Sequence, residues 1–133
     1  MVQDSYVQNF LSRDRLGSLL GGVFISLSEN ECIYEYSVNP EHYNPNGILH
    51  GGALYSIMDS SQGMLVHSTL DKTFSFVATG TSTIKYLAPL KTGKVRIRTV
   101  IQERTGRKIF VNSTASDEGG RSVATLDEIW IAK

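Results

Sequence analysis

Apolar residues recur at helical spacing near the start of the chain, at Tyr6, Val7, Phe10 and Leu11, and Ser5 with Gln8 has the spacing of a capping box. The pattern predicts a short amphipathic helix over about residues 4–13. Leu16, Leu19 and Leu20 carry the apolar stripe on to Gly21-Gly22, where it ends. Val23, Ile25 and Leu27 then alternate with Ser26 and Ser28, the period-two signature of a strand. Residues 32–38 read as its hairpin partner across a turn at Ser28-Glu29-Asn30.

Between Asn39 and Gly52 the pattern gives way to turn formers: Asn39-Pro40, Asn44-Pro45, Asn46-Gly47 and then His50-Gly51-Gly52. From there to about residue 70 the spacing is helical again. Leu54, Ile57, Met58, Ser61 and Leu65 make one face, and Tyr55, Asp59, Gln62 and Val66 make another. So few charges interrupt this segment that the helix, over about residues 51–70, should be largely buried. Gly63 in its middle costs about 1 kcal/mol relative to Ala, which points to close packing there. The second half reads as four strands: 74–87, a segment where Val95, Ile97, Thr99 and Ile101 alternate with Arg96, Arg98 and Gln102, then 109–116 and 122–132. Long antiparallel strands with one buried helix give an α+β fold, a single sheet curled around that helix.

The 133 residues are enough for one domain with one core, and no linker or repeat divides them. Lys+Arg and Asp+Glu are equal at 13 each, which argues against a nucleic-acid partner held by bulk charge. No apolar run is long enough to span a bilayer, and the first residues lack the apolar block of a signal peptide. Cys32 is the sole cysteine, which excludes an intrachain disulfide and a thiolate metal cluster. A cytoplasmic location is the default expectation. His42, His50, His67 and Asp59 fit no standard metal-ligand spacing, so no metal is expected.

Chemistry concentrates in residues 44–59, where a glycine pair opens a helix and a carboxylate sits inside an apolar one. Helix N-termini present unpaired N–H groups and the positive end of the helix dipole, and glycine lets a ligand approach that backbone. An acyl oxygen turning into an oxyanion is well matched to such donors. Asp59 is the only acid or base other than histidine between His50 and Leu70, and a buried carboxylate suits a base or nucleophile.

These residues resemble the hotdog-fold acyl-CoA thioesterases, in particular the PaaI-like branch of the 4-hydroxybenzoyl-CoA thioesterase superfamily. The similarity is sharpest at Asn44, the Gly47-x-x-His50-Gly51-Gly52 string and Asp59 nine residues after the histidine. It implies a hotdog fold, an antiparallel sheet wrapped around one long central helix, with active sites between the two subunits of a dimer. It further implies that Asn44 and the Gly51 N–H polarise a thioester carbonyl, that His50 positions the thioester or the leaving sulfur, and that Asp59 activates water or attacks directly. Thr79, ten residues before Pro89, falls where relatives carry a Ser or Thr that orients the water, with Thr81 as a competitor. The implied substrate is an acyl-CoA, with no separate cofactor.

Helical geometry bears on the assembly independently. Nine residues at about 100° each put His50 and Asp59 on opposite sides of one helix, roughly 13 Å apart along its axis. They serve one carbonyl more easily across a two-fold axis than within one chain. A homodimer or a dimer of dimers is therefore expected. From Lys85 to Arg121 nine Lys/Arg face three acids, an excess that could meet coenzyme A phosphates, although solvated strand faces account for most of it. Two rival functions remain: a hotdog hydratase, disfavoured because His50 precedes Asp59, and a non-catalytic acyl-CoA binding module.

Overall fold

The structure, a computed structural model, describes residues 2–133. The elements run α1 (Val2–Arg13), α2 (Arg15–Leu20), β1 (Val23–Leu27), β2 (Glu31–Ser37), a 3-10 turn at Pro40–His42, α3 (Gly51–Ser68), β3 (Val77–Tyr86), β4 (Lys94–Thr105), β5 (Lys108–Ser116) and β6 (Ser122–Ala132). All six strands join one antiparallel sheet in the order β1-β2-β4-β5-β6-β3. The chain leaves the end of α3, enters the far edge as β3, and returns to the middle as β4. This is the hotdog arrangement, with α3 packed against the sheet.

The core is the contact between that helix and the inward residues of the strands. Ile57, Met58, Met64 and Leu65 of α3 meet Tyr34, Tyr36, Val95, Ile97 and Leu126, all almost fully excluded from solvent. A smaller cluster of Val66, Val77, Ile109, Val111, Trp130 and Ala132 closes the C-terminal end of the helix. Each large aliphatic side chain buried in this way contributes on the order of 1.5–3 kcal/mol. Gln62 is satisfied within this interface, donating to Ser113 Oγ and accepting from Trp130 Nε1, both at 3.0 Å, whereas the buried Tyr34 hydroxyl has no hydrogen-bond partner among the described residues. Gly63 is crowded from both sides, because a Cβ there would sit 3.3 Å from Phe10 and 3.4 Å from Trp130.

Several local expectations change. The first helix begins at Val2, so Ser5 and Gln8 lie inside it and form no capping box. The stripe through Leu20 is not one helix: Asp14 interrupts it and caps α2, accepting from the Gly17 N–H. Leu16 and Leu19 consequently face solvent. A bulge between Phe24 and Ser26 re-phases β1, exposing Val23 and Ile25 while Phe24 packs edge-on against Tyr34. The third strand starts at Val77 rather than 74, and α3 ends at Ser68.

Candidate active site

The loop that delivers the chain to α3 is fixed by its own amides. Asn44 Oδ1 accepts from Asn46 N at 2.9 Å and Ile48 N at 3.4 Å, an Asx-type turn that Gly47 completes at φ +73. Leu49 N bonds Leu90 O and His50 N bonds His42 O, which pins both sides of the segment. With its oxygen committed inward, the Asn44 amide has its Nδ2 donors to offer. His50 is the N-cap of α3, its Nδ1 accepting from Gly52 N at 2.8 Å. The Gly51 N–H, first of the helix, belongs to the set that helix geometry leaves uncommitted.

Asn44, Gly51 and Leu54 line a cleft of about 460 Å³ with Tyr86 and the 87–90 segment. Tyr86 forms its wall: its hydroxyl donates to Gly51 O at 2.7 Å, and a Cβ on Gly51 would meet the ring at 2.7 Å. A side chain at Gly51 would have to push that exposed ring aside. The His50 ring is turned out of this cleft, toward a shallow hollow bounded by Leu16, Leu20 and His42.

Asp59 lies two turns further along, about 12 Å from Gly51 along the helix axis. It is half-buried rather than buried. Thr79 Oγ1 donates to Asp59 Oδ1 at 3.1 Å. A bulge at Gly80 makes this possible. Thr79 pairs with Trp130 and Ser82 with Glu128, so two residues of odd separation both face the helix. Thr81 pairs with Ile129 and so lies on the other face of the sheet from Thr79. Within one chain, then, the candidate residues form two groups, Asn44 with Gly51 and Asp59 with Thr79.

Sequence reasoning missed the buried acid of this region. Glu128 on β6 is 2% exposed, and its Oε2 accepts from Ser82 Oγ at 2.5 Å and Tyr55 OH at 3.0 Å. Burial pushes its carboxyl up to about 8, reinforced by the neighbouring Asp59 carboxyl. The signal was present, because Glu128 interrupts the otherwise apolar inward series Leu126, Trp130 and Ala132. Of the other titratable groups considered at the sequence level, His42 Nδ1 is engaged by Tyr36 OH at 2.5 Å. His67 packs against the rings of Phe10 and Trp130, and burial lowers its pKa.

Residues 46–124 match the family profile described as the thioesterase superfamily, well over half of the chain. The chain belongs to the thioesterase superfamily. A candidate esterase of Saccharolobus solfataricus is 26% identical over 98% of this chain and 86% of its own length. Among solved structures, the E. coli PaaI protein from the phenylacetic acid degradation operon superposes with TM-score 0.88 at 17% identity, covering 98% of this chain and 93% of that one. A Streptococcus mutans protein solved bound to acetyl CoA superposes with TM-score 0.78 at 20% identity, covering 85% and 89%. At such identities the superpositions establish the hotdog fold, and the profile match establishes membership of the thioesterase superfamily. Hydrolysis of thioesters is the general activity that goes with that membership. No helix among the described residues is long and apolar enough to cross a membrane.

Proposed function

We propose that this thioesterase-superfamily member hydrolyses acyl-CoA thioesters, with Asp59 as general base. Asp59 takes a proton from water as the water oxygen bonds the thioester carbon. Thr79, which donates to Asp59, offers its oxygen lone pairs to hold that water. Asn44 Nδ2 and the Gly51 N–H receive the carbonyl oxygen as it becomes an oxyanion. The carbon–sulfur bond then breaks and the thiolate leaves as coenzyme A, taking up the proton. His50 acts through the turn it caps: by occupying the Gly52 N–H it leaves the Gly51 amide for the carbonyl. The observation that carries the reading is the hydroxyl-fixed carboxylate at Asp59–Thr79 in a chain of this family. The acetyl CoA held by the Streptococcus mutans relative is consistent with a CoA thioester as the substrate class.

The same reading makes the working unit a homodimer or dimer of dimers, each site joining Asn44 and Gly51 of one subunit to Asp59 and Thr79 of the other. Two features support it. The two groups lie at different positions along α3, and β3 is an edge strand of 10 residues that ends beside exposed Tyr86 and Leu87. Release of free thiol across an acyl-CoA panel, for wild type and Asp59→Asn, tests the activity. Loss of roughly 100-fold or more in kcat for the variant is expected. Tight acyl-CoA binding by the wild type without thiol release would instead make the protein a non-catalytic binding module.

A further inference from the structure

Glu128 is the only charged side chain among the buried residues described. No cation faces it. The groups packed around its carboxyl are Tyr55 and Asp59 from α3 and Ser82 from β3, while its partner in the register on β5 is Val111. A buried carboxylate with another carboxylate beside it and no counter-charge is strongly disfavoured, so one of the two must hold a proton.

The hydrogen bonds say where that proton sits. Oε2 of Glu128 accepts from both Ser82 and Tyr55. Oε1 is buried and receives no donor. If Glu128 is the partner that holds the proton, the oxygen accepting the two hydroxyls is its carbonyl oxygen, and Oε1 is its O–H. Asp59 lies one helical turn after Tyr55 and already accepts from Thr79, and it is the neighbouring acceptor for that O–H.

We propose that Glu128 is a positioning residue for Asp59: the two carboxyl groups share one proton, carried on Glu128 Oε1, which anchors the Asp59 carboxylate in place. The inference rests on the reading of Asp59 as the base. Its consequence is a second, alkaline limb in the rate profile. When the shared proton leaves, two adjacent carboxylates repel, Asp59 loses its anchor, and a second negative charge opposes the forming oxyanion.

The profile of kcat against pH for wild type, Glu128→Ala and Glu128→Gln reads this out. The wild type should fall about tenfold between pH 7 and 9. Glu128→Ala should lower kcat at pH 7 by roughly 10-fold or more. Glu128→Gln should recover most of that loss, because its oxygen still accepts from Tyr55 and Ser82 while its amide donates to Asp59, and its alkaline limb should be gone. A glutamine variant that keeps the wild-type limb, or is as slow as alanine at every pH, overturns the proposal. A measurement independent of turnover is the titration of 13C-carboxyl-labelled glutamates by NMR in the wild-type protein. One carboxyl should titrate well above pH 6, moving down by about a unit or more in Asp59→Asn. If every glutamate titrates below pH 6, no proton is shared. Retained turnover in Asp59→Asn would instead overturn the base assignment while the titration still decided the pair.

Discussion

Thr79 and Asp59 meet at 3.1 Å only because the strand carrying Thr79 slips by one residue at Gly80. A Cβ at Gly80 would come within 2.6 Å of Ile131, so the bulge is packed tightly into the neighbouring strand. The contact fixes one Asp59 oxygen and leaves the other for water and for Glu128. Thr79→Val removes the donor while keeping the branched shape. The kcat should drop roughly 10- to 150-fold with little change in KM, since a hydrogen bond to a charged group is worth about 1.5–3 kcal/mol. Thr79→Ser should retain most of the activity. Steady-state kinetics on one good substrate decide it, and equal losses in the valine and serine variants would mean that the hydroxyl is not what matters.

Asn44 has two jobs that one substitution can separate. Its oxygen ties the turn through Asn46 N and Ile48 N, while its amide nitrogen is the proposed donor to the carbonyl. Asn44→Asp preserves the acceptor and replaces the donor with negative charge. The expected result is a melting temperature close to wild type and a kcat reduced roughly 10- to 1000-fold. Near-normal turnover in a folded Asn44→Asp would remove Asn44 from the oxyanion site.

Much of this was legible in the chain because periodicity reports burial. The alternation of Val95, Ile97 and Thr99 with Arg96 and Arg98 gave the inward face of β4, and the low charge of 51–68 gave the buried helix. Gly63 foretold the crowding by Phe10 and Trp130. What escaped were features that break a period. The bulges in β1 and β3 shift the register by one residue, and a shift of one exchanges the two faces of a strand. Asp14 ends one helix and caps the next within an unbroken leucine pattern. Glu128 needed both the register of β6 and the fold around α3 before it became a neighbour of Asp59. Asp59, expected to be buried, is half-buried, and the buried carboxylate of the region is the unanticipated Glu128 on β6.

Linkage at Glu128 gives a stability prediction of definite sign. Its folded-state pKa is raised, from 4.5 to about 8, so between those values the folded protein holds a proton that the unfolded chain has released. Stability from this group is fully present below about pH 4.5 and is lost as pH rises toward about 8. Wild-type melting temperature should therefore fall more steeply from pH 5 to 8 than that of Glu128→Gln, whose side chain does not titrate. Parallel curves for the two proteins over that range would show that Glu128 ionises in the folded state as easily as in the unfolded one.

The division of the candidate residues into two groups along α3 allows complementation between inactive chains. Asn44→Asp damages the oxyanion group, and Asp59→Asn damages the base group. If each site takes one group from each subunit, a mixed dimer holds one site with both defects and one with neither. Co-refolding equal amounts makes about half of the dimers mixed, so about a quarter of wild-type activity should return when sites act independently. The same fraction holds in a dimer of dimers, because sharing occurs within each pair. Differently tagged chains allow the mixed species to be purified, and its activity per site should then approach half of wild type. Verified mixed dimers with no activity above the parents, both parents being folded and dimeric, would mean that each subunit builds its site alone. An active monomer in sedimentation would lead to the same conclusion without any mixing.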